Sequence, residues 1–190
     1  MKRFPIYLFL FVMTFVSLAD AGTPAKVENF SLSDYNGKKV SLNDFKDSKT
    51  IVLMFIATQC PVSNAYNERY NQLYVDYKSK GVAFIAINSN KAESVEDIKT
   101  HAKEHKFEFT ILKDVNNVIA DKLDAQRTPE IFVINPSTLD VLYHGRIDDS
   151  QRESKVTSKD LRTALDDILS GKEVTVKETK AFGCTIKRVE

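Results

Sequence analysis

Cys60-Pro61-Val62-Ser63 has the outline of a Cys-x-x-Cys redox motif in which serine stands in the second cysteine's place. A thiol reacts as its thiolate, so the chemistry open to Cys60 depends on what lowers its pKa. The residue closes an apolar run and opens a helical pattern. At such a junction, free backbone N–H groups and the positive end of the helix favour an anion. Pro61 suits the first helical position, since it has no N–H to leave unpaired and its φ is already helical. Ser63 falls within hydrogen-bonding reach of the Cys60 sulfur but cannot displace a bound partner as a second cysteine would. Chemistry at this point is therefore monothiol. The competing reading is a small apolar cysteine buried in a core.

The chain has one other cysteine, Cys184. Two cysteines so far apart make one bridge at most, structural or redox-active, and not a disulfide scaffold. A third element is Arg127-Thr128-Pro129-Glu130, directly ahead of an apolar strand pattern. In a strand-helix-strand redox fold, Thr128-Pro129 is expected to be cis and to face the cysteine. The backbone of the preceding residue is then free to pair with an extended substrate chain. Arg127 is either a fixed positive charge for a thiolate or a peroxide oxygen, or a surface arginine. His101 and His105 stand four apart on a helical pattern without an acidic or cysteine partner, and no metal is assigned to them. Asp148-Asp149 reads as a strand end that caps the next segment, pairing with Arg146 or Arg152, rather than as an acid-base pair.

These residues need a scaffold. The chain has 190 residues, 43% hydrophobic and 28% charged, which suits one globular domain that folds without staples. Lys2 and Arg3 precede an apolar run over residues 5–19 and the small-residue triplet Ala19-Asp20-Ala21. That is the layout of a secretory signal peptide over residues 1–21, leaving a domain from 22 to 190 that is periplasmic or secreted. The apolar run is shorter than the roughly 20 residues that cross a bilayer, so no stable membrane span remains after cleavage; an uncleaved anchor is the alternative. Cleavage removes Lys2, Arg3 and Asp20 and leaves a formal charge of zero. A neutral chain has no electrostatic claim on nucleic acid. Charged stretches such as KAESVEDIKTHAKEHK read as solvated helix faces.

Alternating residues on both sides of Tyr35-Asn36-Gly37-Lys38 predict an N-terminal β-hairpin. Residues 51–57 and 82–89 read as strands covered on both faces. A helix is predicted over 61–80, with Tyr66, Tyr70, Leu73 and Tyr77 on one face and Gly81 as its stop. Next come a second helix over 94–106, a strand at 109–112 and a short helix over 117–123. Residues 130–135 and 141–147 then form an antiparallel hairpin at the edge of the parallel part, and a helix over 158–169 leads into an extended tail carrying Cys184.

The chain resembles the thioredoxin-fold redoxins, and most of all the peroxiredoxin-like, AhpC/TSA-related group. The resemblance rests on Cys60-Pro61, Thr128-Pro129, Gly145-Arg146-Ile147-Asp148-Asp149 and Gly183-Cys184-Thr185-Ile186-Lys187, and spans residues 25–188. It implies an α/β thioredoxin-like fold: a central mixed sheet flanked by helices, with the hairpin at its N-terminus. It also implies thiol redox chemistry without a cofactor, with Cys60 as attacking thiolate and thiols, disulfides or peroxide as partners. Two departures matter. The Pro-x-x-x-Thr/Ser-x-x-Cys string of true peroxiredoxins has Leu53 and Ala57 at its proline and hydroxyl places, with Thr58 one step out of register, and the second cysteine of thioredoxins is Ser63. The rival reading is a non-catalytic binding or structural domain on the same fold, stapled by Cys60 and Cys184.

Overall fold

The computed structural model describes residues 24–189. The expected signal peptide lies outside the described residues. The hairpin is β1 (Ser31–Asp34) and β2 (Lys39–Ser41), joined through Gly37, whose φ of +83° is one that side chains rarely adopt. Then come β3 (Thr50–Phe55), α1 (Pro61–Asn64), α2 (Asn67–Lys78), β4 (Val82–Asn88), α3 (Val95–Glu104) and β5 (Thr110–Lys113). The chain continues through α4 (Val118–Lys122), β6 (Arg127–Thr128), β7 (Glu130–Ile134), β8 (Val141–Gly145), α5 (Asp160–Leu169) and β9 (Cys184–Thr185). Seven strands form one mixed sheet in the order β2-β1-β5-β4-β3-β7-β8, while β6 and β9 pair apart from it.

The three central strands β3, β4 and β5 run parallel, and β7 runs antiparallel to β3. Every residue of β3 is buried, as its unbroken apolar run requires. Alternation divides its side chains between two layers. Val52 and Met54 join Tyr66, Tyr70, Leu73 and Tyr77 on one face, and Ile51, Leu53 and Phe55 join Leu42, Ile119 and Leu123 on the other. The antiparallel register sets Phe55 opposite Glu130. The loop leaving β3 toward Cys60 therefore meets the loop entering β7 through Pro129.

The continuous helix expected over 61–80 is broken at residues 65–66, where α1 ends after a single turn. Tertiary contacts hold the break. Tyr66 is 1% exposed, stacks on Tyr70 and donates from its hydroxyl to Asp148 Oδ1 at 2.8 Å. Burial, reinforced by Asp148, pushes the Tyr66 phenol well above its ordinary pKa. Asp148 also corrects the expected pairing: its partner is Arg69, at 2.6 Å, while Arg146 binds Asp160. The same Arg69 guanidinium donates to Ser150 O and Gln151 O and lies 3.6 Å from the Tyr66 ring centroid, so α2 is locked to the segment after β8. His101 on α3 and His105, which caps its C-terminus, contact each other, with ring centroids 4.3 Å apart, and both contact Phe107.

Arg69→Ala should destabilise the protein by about 3–5 kcal/mol in urea unfolding, because it strands the buried Asp148 carboxylate; Asp148→Asn, which keeps an oxygen for Tyr66, should cost less. Burial, and next the charge of His105, lower the His101 pKa, against weaker opposition from Glu93 and Glu104. The folded chain then binds this proton less readily than the unfolded chain, so stability should fall as pH drops below about 6.5. Urea midpoints at pH 8 and pH 5.5 check this, and the difference should shrink in His101→Leu.

Candidate active site

Cys60 is the N-cap of α1, with extended backbone (φ −83°, ψ 117°) and Pro61 at the first helical position. Its sulfur receives the Ser63 backbone N–H at 3.3 Å and lies 3.4 Å from the Thr128 carbonyl oxygen. The sulfur is bonded to that of Cys184, with Cα atoms 5.9 Å apart, within the span a disulfide allows. Because α1 is one turn long, the local N–H of Ser63 acts on the sulfur more than any helix dipole does. The Ser63 side chain takes a different place from the one expected. Its hydroxyl oxygen accepts the Ala57 N–H at 3.1 Å and meets the Tyr70 hydroxyl at 3.1 Å.

Residues 57–59 lie outside strand and helix, and side chains accept their backbone N–H groups. Beyond Ser63, the acceptor is Glu93, only 4% exposed. Its Oε2 takes the Thr58 N–H at 2.7 Å and its Oε1 the Gln59 N–H at 3.2 Å. The side-chain amides of Asn88 and Asn90 donate to the same carboxylate. Lys113 closes the network from its Nζ to Asn88 Oδ1, Asn90 O and Glu93 O. Burial lowers the Lys113 pKa, and the charges of Glu93 and Asp114 oppose that shift.

The facing loop is held in the same way. Glu130, 3% exposed, accepts the N–H groups of Gln126 and Arg127 on Oε2, both at 2.7 Å, and its Oε1 lies 2.7 Å from His144 Nε2. The Thr128-Pro129 bond is cis, as expected. The backbone before it already has a partner: β6 and β9 pair antiparallel, Thr128 opposite Cys184 and Arg127 opposite Thr185. The Arg127 guanidinium donates to Thr185 Oγ1 at 2.9 Å and Gly183 O at 3.5 Å, and so fastens the tail. A cavity of about 250 Å³ beside the disulfide is lined by Ala57, Gln59, Glu93 and Thr128 together with both cysteines. Thr58 borders a different depression, with Asp97 and His101, and its buried hydroxyl has no partner within the described protein.

Cys60, Pro61, Ser63, Arg127, Thr128, Pro129 and Cys184 thus come together around one bond. Sequence reasoning missed Glu93 and Glu130. Glu93 sits in a charged stretch that reads as a solvated face. Glu130 carried a signal: an acid that opens an otherwise apolar strand, EIFVI, is buried and needs partners.

A mixed sheet between two helical layers, with a cysteine opening the helix after the first parallel strand, is a thioredoxin-like fold. The AhpC/TSA family model matches residues 23–141, more than half of the chain, and the chain belongs to that family. The match includes Cys60 and Thr128-Pro129 and ends before the tail. Thiol-disulfide oxidoreductase ResA of Bacillus subtilis (strain 168) is 34% identical over 109 residues, covering 57% of this chain and 59% of the relative. Chloroplastic peroxiredoxin Q of Triticum aestivum is 32% identical over 91 residues, 48% of this chain and 41% of the relative. The chain therefore matches less than two thirds of the length of either. A solved structure of a hypothetical protein from Sinorhizobium meliloti 1021 superposes with a TM-score of 0.82 at 31% identity, covering 90% of this chain and 97% of that one.

Glu93→Ala should leave the Thr58 and Gln59 amides and two asparagine amides without their acceptor and cost about 3–5 kcal/mol in unfolding of the oxidised protein. Hydrogen exchange should quicken first at Thr58 and Gln59. Glu28→Ala, which removes the exposed pair with Lys122, should leave the midpoint where it is.

Proposed function

We propose that the chain is an exported thiol oxidoreductase in which Cys60 is the attacking thiolate and Cys184 the resolving thiol. The observation that carries this reading is the Cys60–Cys184 bond itself, placed at a helix start and against the Thr128 carbonyl, where a thiolate gains a backbone donor and a partner approaches from the cis-proline side. In the reduced protein, the Cys60 thiolate attacks one sulfur of a substrate disulfide, forms a mixed disulfide and releases the other sulfur as a thiolate. The Cys184 thiol, losing its proton, then attacks Cys60, forms the internal disulfide and releases the second substrate thiolate. Two electrons and the Cys184 proton pass to the substrate, and the second product thiolate takes its proton from solvent. The reverse sequence oxidises a substrate dithiol.

Each neighbour has a role in this cycle. Pro61 starts the helix at the cysteine, the Ser63 N–H stabilises the thiolate, and the Ser63 hydroxyl holds the Ala57 amide so that the loop keeps its shape. Thr128 and Pro129 form the wall against which a partner lies, and Arg127 secures whatever occupies that wall. Thiols and disulfides are favoured over peroxide because Ala57 stands where a peroxide-positioning hydroxyl would and Thr58 borders a different depression. The N-terminal layout supports export to the periplasm or beyond, where a disulfide can form. No helix among the described residues is long and apolar enough to cross a membrane.

Turnover on hydrogen peroxide and on a small-molecule disulfide, measured side by side, tests the assignment. Disulfide turnover should exceed peroxide turnover, and Cys60→Ser should abolish both. Cys184→Ser should stop after one equivalent as a mixed disulfide. Mass measurement should show a reversible loss of two hydrogens in the wild type. Resistance of the bond to mild reductant, or no reaction faster than in Cys60→Ser, would instead establish a structural staple. The reduced Cys60 should alkylate with a pKa below the roughly 8.5 of a free thiol.

A further inference from the structure

The tail meets the cis-proline loop as a bound peptide would. Cys184 and Thr185 pair antiparallel with Thr128 and Arg127, and the pairing extends to an Ile186 N–H bond to Gln126 O at 3.0 Å. Beyond it, Lys187 donates to Asn90 Oδ1 at 2.8 Å and accepts from the Lys91 N–H at 2.8 Å. Alternate residues of an extended chain share a face. Here Phe182, Cys184 and Ile186 all turn toward the domain. Phe182 packs on the core layer of Tyr66, with ring centroids 6.4 Å apart, and Ile186, 3% exposed, joins the layer that holds Ile119 and Leu123. Between Phe182 and Cys184 stands Gly183, with φ +145°. A Cβ there would fall 2.8 Å from the Thr128 carbonyl carbon and still closer to its oxygen, so a side chain at this position forces the strand away from the loop.

We infer that residues 182–187 are the resident ligand of a peptide groove, and that the external partner is an extended polypeptide whose reacting cysteine follows glycine and stands two residues before a bulky aliphatic side chain. The inference rests on the thiol-exchange reading above and adds its substrate class. The groove reads three things. The Thr128 carbonyl admits only glycine before the cysteine, an apolar pocket takes the side chain two residues after it, and the Arg127 guanidinium takes a hydroxyl or carbonyl oxygen between them. While the internal disulfide stands, the tail fills the groove and no such partner pairs with Thr128. Reduction leaves the tail held by hydrogen bonds and two apolar contacts alone, and an external peptide competes with it on equal chemistry. In the forward reaction the Cys60 thiolate attacks the peptide sulfur of a peptide disulfide, the Cys60–peptide bond forms, the old S–S bond breaks, and its second sulfur leaves as a thiolate. Cys184 then attacks the Cys60 sulfur from outside the groove, in line with the Cys60–peptide bond; that bond breaks, the peptide sulfur leaves as a thiolate, and the tail resettles in the vacated groove.

The test uses full-length, reduced Cys184→Ser, in which the tail is unlinked, and octapeptides with the sequence of residues 180–187, KAFGCTIK, each joined through its cysteine to 5-thio-2-nitrobenzoate. Attack by Cys60 on the peptide sulfur releases the coloured thiolate. The parent peptide should release it at least tenfold faster than its Gly→Ala and Ile→Asp versions and than the same conjugate of free cysteine. Adding Ile186→Asp to the protein should raise the ratio of peptide rate to free-cysteine rate, because the competing tail is weakened. In wild-type protein, exchange of the Thr185, Ile186 and Lys187 amides should quicken on reduction. Equal release from all four conjugates, or tail amides protected equally in both redox states, would overturn the groove inference while leaving thiol exchange standing. No release from any conjugate would overturn both.

Discussion

Buried backbone donors need acceptors, and the two loops that meet at Cys60 lie outside the sheet ladder. Glu93 supplies acceptors for the loop that carries the cysteine and Glu130 for the loop that carries the cis-proline, each accepting two consecutive N–H groups. A carboxylate accepting charge-assisted bonds is a stronger clamp than a neutral acceptor. Both clamps are themselves held, Glu93 by two asparagine amides and Glu130 by His144. The position of the sulfur relative to the Thr128 carbonyl depends on these two side chains more than on any local helix or strand.

The same network reaches the tail. Asn90 donates to Glu93 through its side-chain nitrogen and accepts the Lys187 N–H on its side-chain oxygen, so one residue joins the cysteine loop, the buried acid and the tail. The disulfide adds a constraint of another kind, since it closes a loop of 124 residues. In the chain-entropy account such a closure restricts the unfolded chain by about 4–5 kcal/mol. Reduction therefore withdraws a global constraint and a local one together. The local one is the attachment of a strand, β9, that belongs to no other sheet.

Ser63 shows how a motif position can change its work. Where a second cysteine would resolve a mixed disulfide, the hydroxyl instead fills the gap between the Ala57 amide and the Tyr70 phenol, deep in the core. Burial keeps that phenol protonated far above its ordinary range. In the proposed cycle, resolution therefore falls to the tail, whose Cys184 is bonded to Cys60.

Hydrophobic periodicity and turn residues determined the order of the seven strands of the main sheet and the helices between them, though not the break between α1 and α2 or the β6–β9 pair. Residue chemistry singled out Cys60, Thr128-Pro129 and Cys184, because local pattern and special backbone residues report on local structure. The unbroken apolar run of β3 and the turn at Gly37 are legible for that reason. Other features were decided only in three dimensions. The helix breaks at Tyr66 because Asp148, far along the chain, holds its hydroxyl, and Asp148 chooses Arg69 over nearer arginines because α2 packs across its carboxylate. Glu93 belongs to a run of charges like any solvated face until the Thr58 and Gln59 amides fold onto it. Whether a carboxylate is a surface charge or a buried clamp depends on which orphaned donors surround it. Those donors come from segments that only the tertiary fold brings together.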